Sequence, residues 1–213
     1  MTSGIRPGGD SVLLAVDLQY DFMPGGGLAV ARGDETVPAV NRLAGLFDNA
    51  VLTQDWHPPG HASFASSHPG KKPFETTRLS YGEQVLWPDH CVQGTRGAEL
   101  HRDLDINQAQ LVVRKGYHRG IDSYSALVEA DRRTPTGLAG YLRQRGLKRL
   151  FLAGLATDFC VAWSAVDAAR AGFAVWVVED ACRAIDVNGS LARAWADMLG
   201  AGVKRIAMRD LGA

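Results

Sequence analysis

The sequence predicts an α/β protein, a three-layer αβα sandwich around a central, mostly parallel six-stranded sheet. Two observations support this fold class. Short apolar runs, each about as long as a buried strand, alternate along the chain with longer amphipathic stretches of helical period. This alternation is typical of βαβ units, in which a helix connects two parallel neighbouring strands.

The apolar runs are expected to form the strands, because parallel strands covered on both faces are apolar along their length. They cover residues 12–16, 50–54, 111–114, 149–153, 174–178 and 203–208. Stretches with spaced apolar positions are expected to form helices. These cover residues 36–48, 135–145, 161–171 and 191–200. Gly146 and Gly172 stand where helix C-caps belong.

One long segment, at about residues 56–97, breaks this rhythm. It is rich in proline, glycine, serine and histidine and shows no strong helix or strand pattern. A loop of that length inside a compact domain is usually functional. The chain has no internal repeat, low-complexity tract or linker, so we expect residues 1–213 to form a single domain that carries this loop as an insertion.

The charge balance excludes some classes of partner. The chain has 23 basic and 23 acidic residues, so it has no long-range field to attract nucleic acid or an anionic membrane. No stretch is apolar for long enough to span a bilayer, and the first residues do not resemble a signal peptide. Cys91, Cys160 and Cys182 are too few for a disulfide framework, which favours a reducing cytoplasm. A monomer and a small homo-oligomer are equally compatible with the sequence.

Reactive side chains follow several of the predicted strands. In a doubly wound sheet, ligands bind beyond the carboxyl ends of the strands. Asp17 follows the first run, Asp55 and His57 follow the second, Lys115 follows the third, and Cys160 comes shortly after the fourth. We therefore expect an acid, metal ligands, a cation and a thiol at one edge of the sheet.

Cys160 is a candidate nucleophile. It stands between a predicted buried strand and an amphipathic helix, where the helix N-terminus would favour the thiolate. Backbone N–H groups of Ala156 and Cys160 could form an oxyanion hole in the same turn. The alternative is a small, inert, buried side chain, as most free cysteines are.

Asp17 and Lys115 strengthen that interpretation, because both should be half-buried at the same edge as Cys160. A carboxylate can accept the thiol proton, and an ammonium lowers the thiol pKa and offsets the carboxylate's charge. Taken alone, the two residues would be a structural ion pair. With the cysteine added, a Cys-Asp-Lys triad explains all three.

Asp55, His57 and His90 form a candidate metal site. Asp55 and His57 are two residues apart, and in an extended chain that spacing points both side chains the same way. With His90 from the long loop, they leave positions open for water or substrate, as in a catalytic Zn²⁺, Fe²⁺ or Mn²⁺ site. His61 or Ser63 could add a further ligand, directly or through water. On spacing alone, solvated loop histidines are the better explanation.

Along nearly its whole length the sequence resembles the nicotinamidase/pyrazinamidase branch of the isochorismatase-like cysteine hydrolases. The motifs that carry the resemblance are VDLQYDF at 16–22 with PGGGLAV at 24–30, DWH at 55–57 with His90, RKG at 114–116 and GLATDFCV at 154–161. The resemblance implies the isochorismatase-like, Rossmann-like form of the fold. It implies that Asp17 is the catalytic acid/base, that Lys115 is the catalytic lysine and that Cys160 is the nucleophile.

The resemblance also implies a reaction and a pocket. The reaction would be hydrolysis of nicotinamide to nicotinate and ammonia through a cysteine thioester, in NAD salvage, with pyrazinamide as a second substrate. One divalent metal ion on Asp55, His57 and His90 would bind the pyridine nitrogen, and a cis peptide bond would precede Ala156. The expected substrate-binding residues are Phe22, Leu28, Trp87, Tyr124 and, at the pocket's edge, Phe159.

Three other interpretations remain. A related amidase or ureido-group hydrolase would use the same triad on another small substrate, and dependence on metal and ring nitrogen would distinguish it. An isochorismatase-type vinyl ether hydrolase needs no metal, so the candidate metal ligands argue against it. A non-catalytic binding module with the same fold would lack a triad member, and all three are present in the sequence.

Overall fold

The structure, a computed structural model, describes residues 5–212. These residues contain eight strands: β1 (Ser11–Val16), β2 (Ala50–Asp55), β3 (Thr76–Leu79), β4 (Gly82–Val85), β5 (Ala109–Lys115), β6 (Arg149–Leu155), β7 (Ala174–Arg183) and β8 (Lys204–Ile206). Six of them form a central sheet in the order β5-β2-β1-β6-β7-β8, and every neighbouring pair is parallel. The predicted α/β sandwich is confirmed.

Four helices flank this sheet, close to the four predicted stretches. They are α1 (Thr36–Ala44), α2 (Leu138–Gln144), α3 (Ala162–Arg170) and α4 (Ser190–Gly200). Gly146 and Gly172 have positive φ just beyond α2 and α3, as expected for helix C-caps. No helix in the described part of the chain is long and apolar enough to cross a membrane.

Burial along the strands follows their place in the sheet. Every residue of β1 is buried, because this strand pairs with β2 on one side and β6 on the other. The prediction of fully buried strands is wrong for β5, which lies at the edge of the sheet. There, exposed positions alternate with half-buried or buried ones, and Val112 is 45% exposed. An edge strand covered on one side needs only every second side chain to be apolar.

The long segment at 56–97 contains a hairpin that the sequence pattern did not predict. Strands β3 and β4 pair antiparallel, with Arg78 opposite Glu83. Their residues are mostly exposed or half-buried. Strands this polar lack the apolar alternation from which a sequence-based assignment is made.

The turn that connects β6 to α3 determines the position of Cys160. Residues Thr157–Val161 form a π-helical turn, and α3 continues directly from it. Just before this turn, Gly154 has φ +123°, and a β-carbon built there would lie 2.2 Å from the backbone oxygen of Val16. Only glycine allows β6 to approach β1 so closely at this point.

We therefore expect Gly154→Ala to lower the free energy of unfolding by about 3 kcal/mol or more, through positive φ and the clash with β1. Gly140→Ala is the matched control, because Gly140 lies inside α2 and its added β-carbon would meet nothing within 4 Å. Gly140→Ala should raise the free energy of unfolding by about 0.5–1 kcal/mol, because alanine has the higher helix propensity. Urea unfolding of both variants measures the difference. Equal stabilities would contradict the close-approach argument.

Candidate active site

The carboxyl ends of four adjacent strands meet at the site. Asp17 directly follows β1, Asp55 and Lys115 are the last residues of β2 and β5, and Cys160 lies in the turn after β6. These strands are neighbours in the sheet, in the order β5-β2-β1-β6. Asp17 and Lys115, expected to be half-buried, are completely buried, and Asp55 and Cys160 are nearly so.

The Lys115 ammonium contacts the other charged and reactive groups of the site. Its Nζ lies 2.9 Å from Asp17 Oδ2 and donates hydrogen bonds to Asp55 Oδ1, to the Ser123 carbonyl at 3.1 Å and to Cys160 Sγ at 3.3 Å. Burial alone would lower its pKa, but the Asp17 and Asp55 carboxylates raise the pKa of Lys115 well above its ordinary value. Lys115 therefore carries a positive charge at neutral pH.

Asp17 is positioned to exchange a proton with the thiol. Thr53 fixes its orientation: the Thr53 hydroxyl donates to Asp17 Oδ1 at 2.5 Å and accepts the Asp17 N–H at 3.1 Å. An Asp17 carboxylate oxygen lies within 4.8 Å of Cys160 Sγ. Burial raises the pKa of Asp17 above its ordinary value, against the lowering effect of Lys115. A carboxylate with a raised pKa is a stronger base.

Cys160 lies in the turn that leads into α3, as its sequence position predicts, but the pKa of its thiol is raised, not lowered. Burial raises the pKa of the Cys160 thiol well above its ordinary value, and the opposing effect of the Lys115 ammonium is smaller. The favourable effect of the helix N-terminus on the thiolate stays a prediction, and burial outweighs Lys115 in the resting state. The thiol therefore needs a neighbouring base, and Asp17 is close enough to act as one.

The backbone amide of Ala156, just before this turn, is available to an oxyanion. The Leu155–Ala156 peptide bond is cis, as the family resemblance implies. Ala156 and Cys160 both line the small pocket at the thiol. Within residues 5–212, the Ala156 N–H donates no hydrogen bond to another protein group.

Asp55, His57 and His90 converge on one point. Asp55 Oδ2 lies 3.6 Å from His57 Nε2 and 3.7 Å from His90 Nε2. Each imidazole Nδ1 is within hydrogen-bond distance of a backbone carbonyl, His57 with Gly116 and His90 with Pro88, both at 2.9 Å. If Nδ1 donates its proton there, each Nε2 keeps its lone pair for a metal, which is the usual arrangement of histidine ligands.

The charge states of Asp55 and the two histidines also suit the binding of a cation. Burial opposes ionisation of Asp55, but Lys115 and His57 lower its pKa well below the ordinary value, so Asp55 is a carboxylate at neutral pH. Its Oδ1 is taken by Lys115 and its Oδ2 faces the histidines. Two imidazoles and one carboxylate are donors that divalent transition metals such as Zn²⁺ accept.

The structure does not bring His61 and Ser63 into this cluster. His61 Nδ1 is hydrogen-bonded to the Ser63 hydroxyl at 2.8 Å, and His61 Nε2 lies 3.1 Å and 3.2 Å from the carbonyls of His118 and Ile121. Burial lowers the pKa of His61 to about 4, so the ring is neutral at neutral pH. With both ring nitrogens occupied by protein partners, His61 packs beside His57 and does not face Asp55 and His90.

A small pocket opens over the thiol. It brings together all five residues expected to contact substrate with the triad cysteine and two of the candidate metal ligands. Its lining comprises Phe22, Leu28, Asp55, Trp87, His90, Asp122, Tyr124, Ala156, Phe159, Cys160 and Ile185. The walls are therefore largely aromatic and aliphatic, which suits a flat ring.

Comparison with known proteins agrees with this geometry. The Isochorismatase domain model matches residues 11–208. The chain is 57% identical to a nicotinamidase of Acinetobacter baylyi, over 97% of each chain. The chain belongs to the isochorismatase family. The family that the motifs resemble is therefore confirmed.

Solved structures of other isochorismatase-family members match closely. The Acinetobacter baumanii nicotinamidase/pyrazinamidase superposes with a TM-score of 0.94 at 58% identity, covering 95% of this chain and 98% of that one. A pyrazinamidase of Pyrococcus horikoshii, solved in complex with zinc, superposes with a TM-score of 0.74 at 34% identity, covering 93% and 99%.

Sequence reasoning missed several residues of this isochorismatase-family site. Asp122 and Ile185 line the pocket, and both belong to segments without a strand or helix pattern. Gln19 holds the backbone of Asp55: its Oε1 accepts the Asp55 N–H and its Nε2 donates to the Asp55 carbonyl, both at 2.8 Å. Only its place two residues after Asp17 hints at this role.

Asp21 is a second support that the sequence did not reveal. Its Oδ2 accepts the N–H of Cys91 at 2.6 Å, which fixes the chain next to His90. Its Oδ1 accepts the N–H of Gly27 at 3.0 Å, which fixes the chain next to Leu28. One carboxylate thus positions a candidate metal ligand and a pocket wall together.

Metal retention tests the three-residue cluster. We expect the purified protein to hold about one divalent ion per chain and His57→Ala or His90→Ala to lose most of it, because two remaining ligands retain an ion poorly. His101→Ala is the control, since this half-buried histidine lies beside Tyr20, outside the cluster. Elemental analysis after dialysis measures the content. Unchanged content in His57→Ala would remove that residue from the metal site.

Proposed function

We propose that this chain is a nicotinamidase, which hydrolyses nicotinamide to nicotinate and ammonia in NAD salvage, and that it also cuts pyrazinamide. One observation supports this most strongly. The buried Lys115 ammonium joins a thiol, its candidate base and the Asp55 carboxylate of the metal cluster, beneath a pocket suited to a flat ring. The 57% identity to a nicotinamidase over nearly the full length supports the same substrate.

Acylation begins with proton transfer. Asp17 takes the proton of the Cys160 thiol, and Lys115 stabilises the thiolate through the contact at 3.3 Å. The sulfur attacks the carboxamide carbon of nicotinamide, and the N–H groups of Ala156 and Cys160 hold the developing oxyanion. When the tetrahedral adduct collapses, the C–N bond breaks, Asp17 returns its proton to the leaving nitrogen, and ammonia departs from a nicotinoyl thioester.

Deacylation uses the same groups again. Asp17, now a carboxylate, takes a proton from a water molecule whose oxygen attacks the thioester carbon. The C–S bond breaks, Asp17 passes that proton to the sulfur, and the product acid loses its own proton to solvent and leaves as nicotinate. Lys115 keeps its charge throughout, which stabilises whichever of Asp17 and Cys160 is the anion.

Asp55, His57 and His90 would hold one divalent metal ion, whose chemistry is to bind the pyridine nitrogen as a Lewis acid. The protein's own part is to orient the ring. Phe22, Trp87 and the other walls would hold it flat, so that the carboxamide lies over Cys160. Such orientation is worth several kcal/mol of the barrier.

Ammonia release from nicotinamide by the purified protein, with and without a chelator, tests the proposed function directly. We expect turnover by the metal-loaded protein and loss of turnover after chelation. No release under any metal loading would refute the proposal.

Asp17→Asn should lower kcat by about 10²- to 10⁴-fold, because an amide cannot accept a proton in either half-reaction. Asp103→Asn is the control, since the side chain of Asp103 is 67% exposed on the surface and should leave kcat unchanged. Steady-state ammonia release measures both variants. A kcat near that of the parent in Asp17→Asn would move the proton-transfer role elsewhere.

The nitrogen of the substrate's ring should raise kcat/KM. Pyrazinamide keeps a nitrogen in the position that faces the metal cluster and should be cut, whereas benzamide should show a kcat/KM lower by about 10²-fold or more, through lost orientation. In His57→Ala the preference should disappear along with most of the activity. If the metal-loaded parent cut benzamide and nicotinamide with similar kcat/KM, the cluster would have no part in substrate binding.

A further inference from the structure

The catalytic pocket is too small for its substrate as it stands. Its cavity volume is about 20 Å³, which is room for about one water molecule. Cys160, beneath it, is 5% exposed. A pyridine ring can therefore reach the sulfur only when part of the pocket wall moves.

Most of the wall is held in place. Trp87 is buried, and its indole N–H donates to the Tyr124 hydroxyl at 2.9 Å. The same hydroxyl accepts a second hydrogen bond from Gln84 Nε2 at 3.0 Å. The N–H of Ile185 donates to the buried carboxylate of Asp158 at 3.0 Å. Phe22 and Leu28 belong to the hydrophobic core.

Phe159 is the exception. Its ring is half-buried, packs against the edge of the core and has no hydrogen-bonding group, with centroid distances of 4.8 Å to Trp87 and 5.6 Å to Tyr124. Its backbone is fixed by the hydrogen bond from its N–H to the Ala156 carbonyl. A rotation of the ring about its side-chain torsions would therefore leave the backbone of the turn that carries Cys160 in place.

Phe159 also borders a second, larger cavity. A surface groove of about 880 Å³ runs between the β3–β4 hairpin, α3 and α4, and Phe159 lines both this groove and the catalytic pocket. The groove is also lined by Phe74 and Trp163, which are 46% and 39% exposed. One aromatic ring thus separates the small catalytic pocket from a larger, partly apolar groove.

We infer that Phe159 is the movable wall through which substrate enters from the groove, and that it sets the largest ring substituent the enzyme accepts. The second half of this inference rests on the proposed function. Turning or removing the ring would join the two cavities. Amides that carry an apolar group on the pyridine ring could then place that group in the groove.

Thiol alkylation tests the wall without any reference to turnover. In Phe159→Ala, the rate constant for modification of Cys160 by the bulky reagent N-phenylmaleimide should rise by about tenfold or more, because the steric barrier is gone. The rate with the small reagent iodoacetamide should rise less. Peptide mapping distinguishes an adduct on Cys160 from one on Cys91 or Cys182, neither of which lines the pocket.

Trp163→Ala is the matched control, because Trp163 lines the groove alone. It should change the N-phenylmaleimide rate by less than about twofold, since Trp163 reaches the pocket only through the Tyr124 ring, whose hydroxyl stays bound to Trp87 and Gln84. Phe159→Leu, a milder truncation, provides the same comparison if Phe159→Ala does not fold. An unchanged N-phenylmaleimide rate in the folded Phe159 variant, or an equal rise in Trp163→Ala, would overturn the inference.

A kinetic comparison tests whether Phe159 limits the size of the ring substituent. The ratio of kcat/KM for 5-phenylnicotinamide to that for nicotinamide should rise by about tenfold or more in Phe159→Ala. A constant ratio would overturn the specificity role, even if the alkylation rates change as expected. If the parent releases no ammonia from nicotinamide, the proposed function fails, whereas the alkylation rates still decide whether Phe159 is the wall.

Discussion

The structure depends on one buried ammonium group. Lys115 is fully buried, and burying an unpaired charge would cost several kcal/mol or more. It is tolerated because Asp17, Asp55, Cys160 and the Ser123 carbonyl surround its Nζ. That arrangement requires β5, β2, β1 and β6 to lie side by side and parallel. The order of the strands in the sheet therefore determines whether the site can form.

Asp55 connects the two halves of the site. One carboxylate oxygen pairs with Lys115 and the other faces His57 and His90. A change in the metal cluster therefore alters the field at Lys115, and through Lys115 the field at Cys160. The Asp55 side chain thus couples orientation of the substrate to activation of the thiol. The Gln19 side chain holds Asp55 in place through hydrogen bonds to the Asp55 backbone.

The main parts of the fold and site could be predicted because apolar runs can be recognised in the sequence and parallel strands end at a common edge. Asp17, Asp55, Lys115 and Cys160 each follow or end such a run, so pattern alone brings them together. The resemblance added the pocket residues, including Tyr124.

The rest depends on contacts that no local pattern encodes. The β3–β4 hairpin is too polar to be recognised as strands, and Gln84 on β4 anchors Tyr124 from there. His61 suggested a metal ligand by its position near His57, but neighbouring carbonyls occupy its ring. The resting protonation of Cys160 depends on how deeply the folded chain buries the sulfur, which residue order does not specify.

The central claim is that Cys160 forms a covalent acyl intermediate with nicotinamide. Acid quenching in the first turnovers, followed by mass spectrometry of the peptide that carries Cys160, tests it most directly. We expect a nicotinoyl group on Cys160 in the parent and in Cys182→Ala, a control that alters a buried thiol outside the pocket, and no ammonia release by Cys160→Ala. Release of ammonia by Cys160→Ala at a rate near that of the parent would contradict the account.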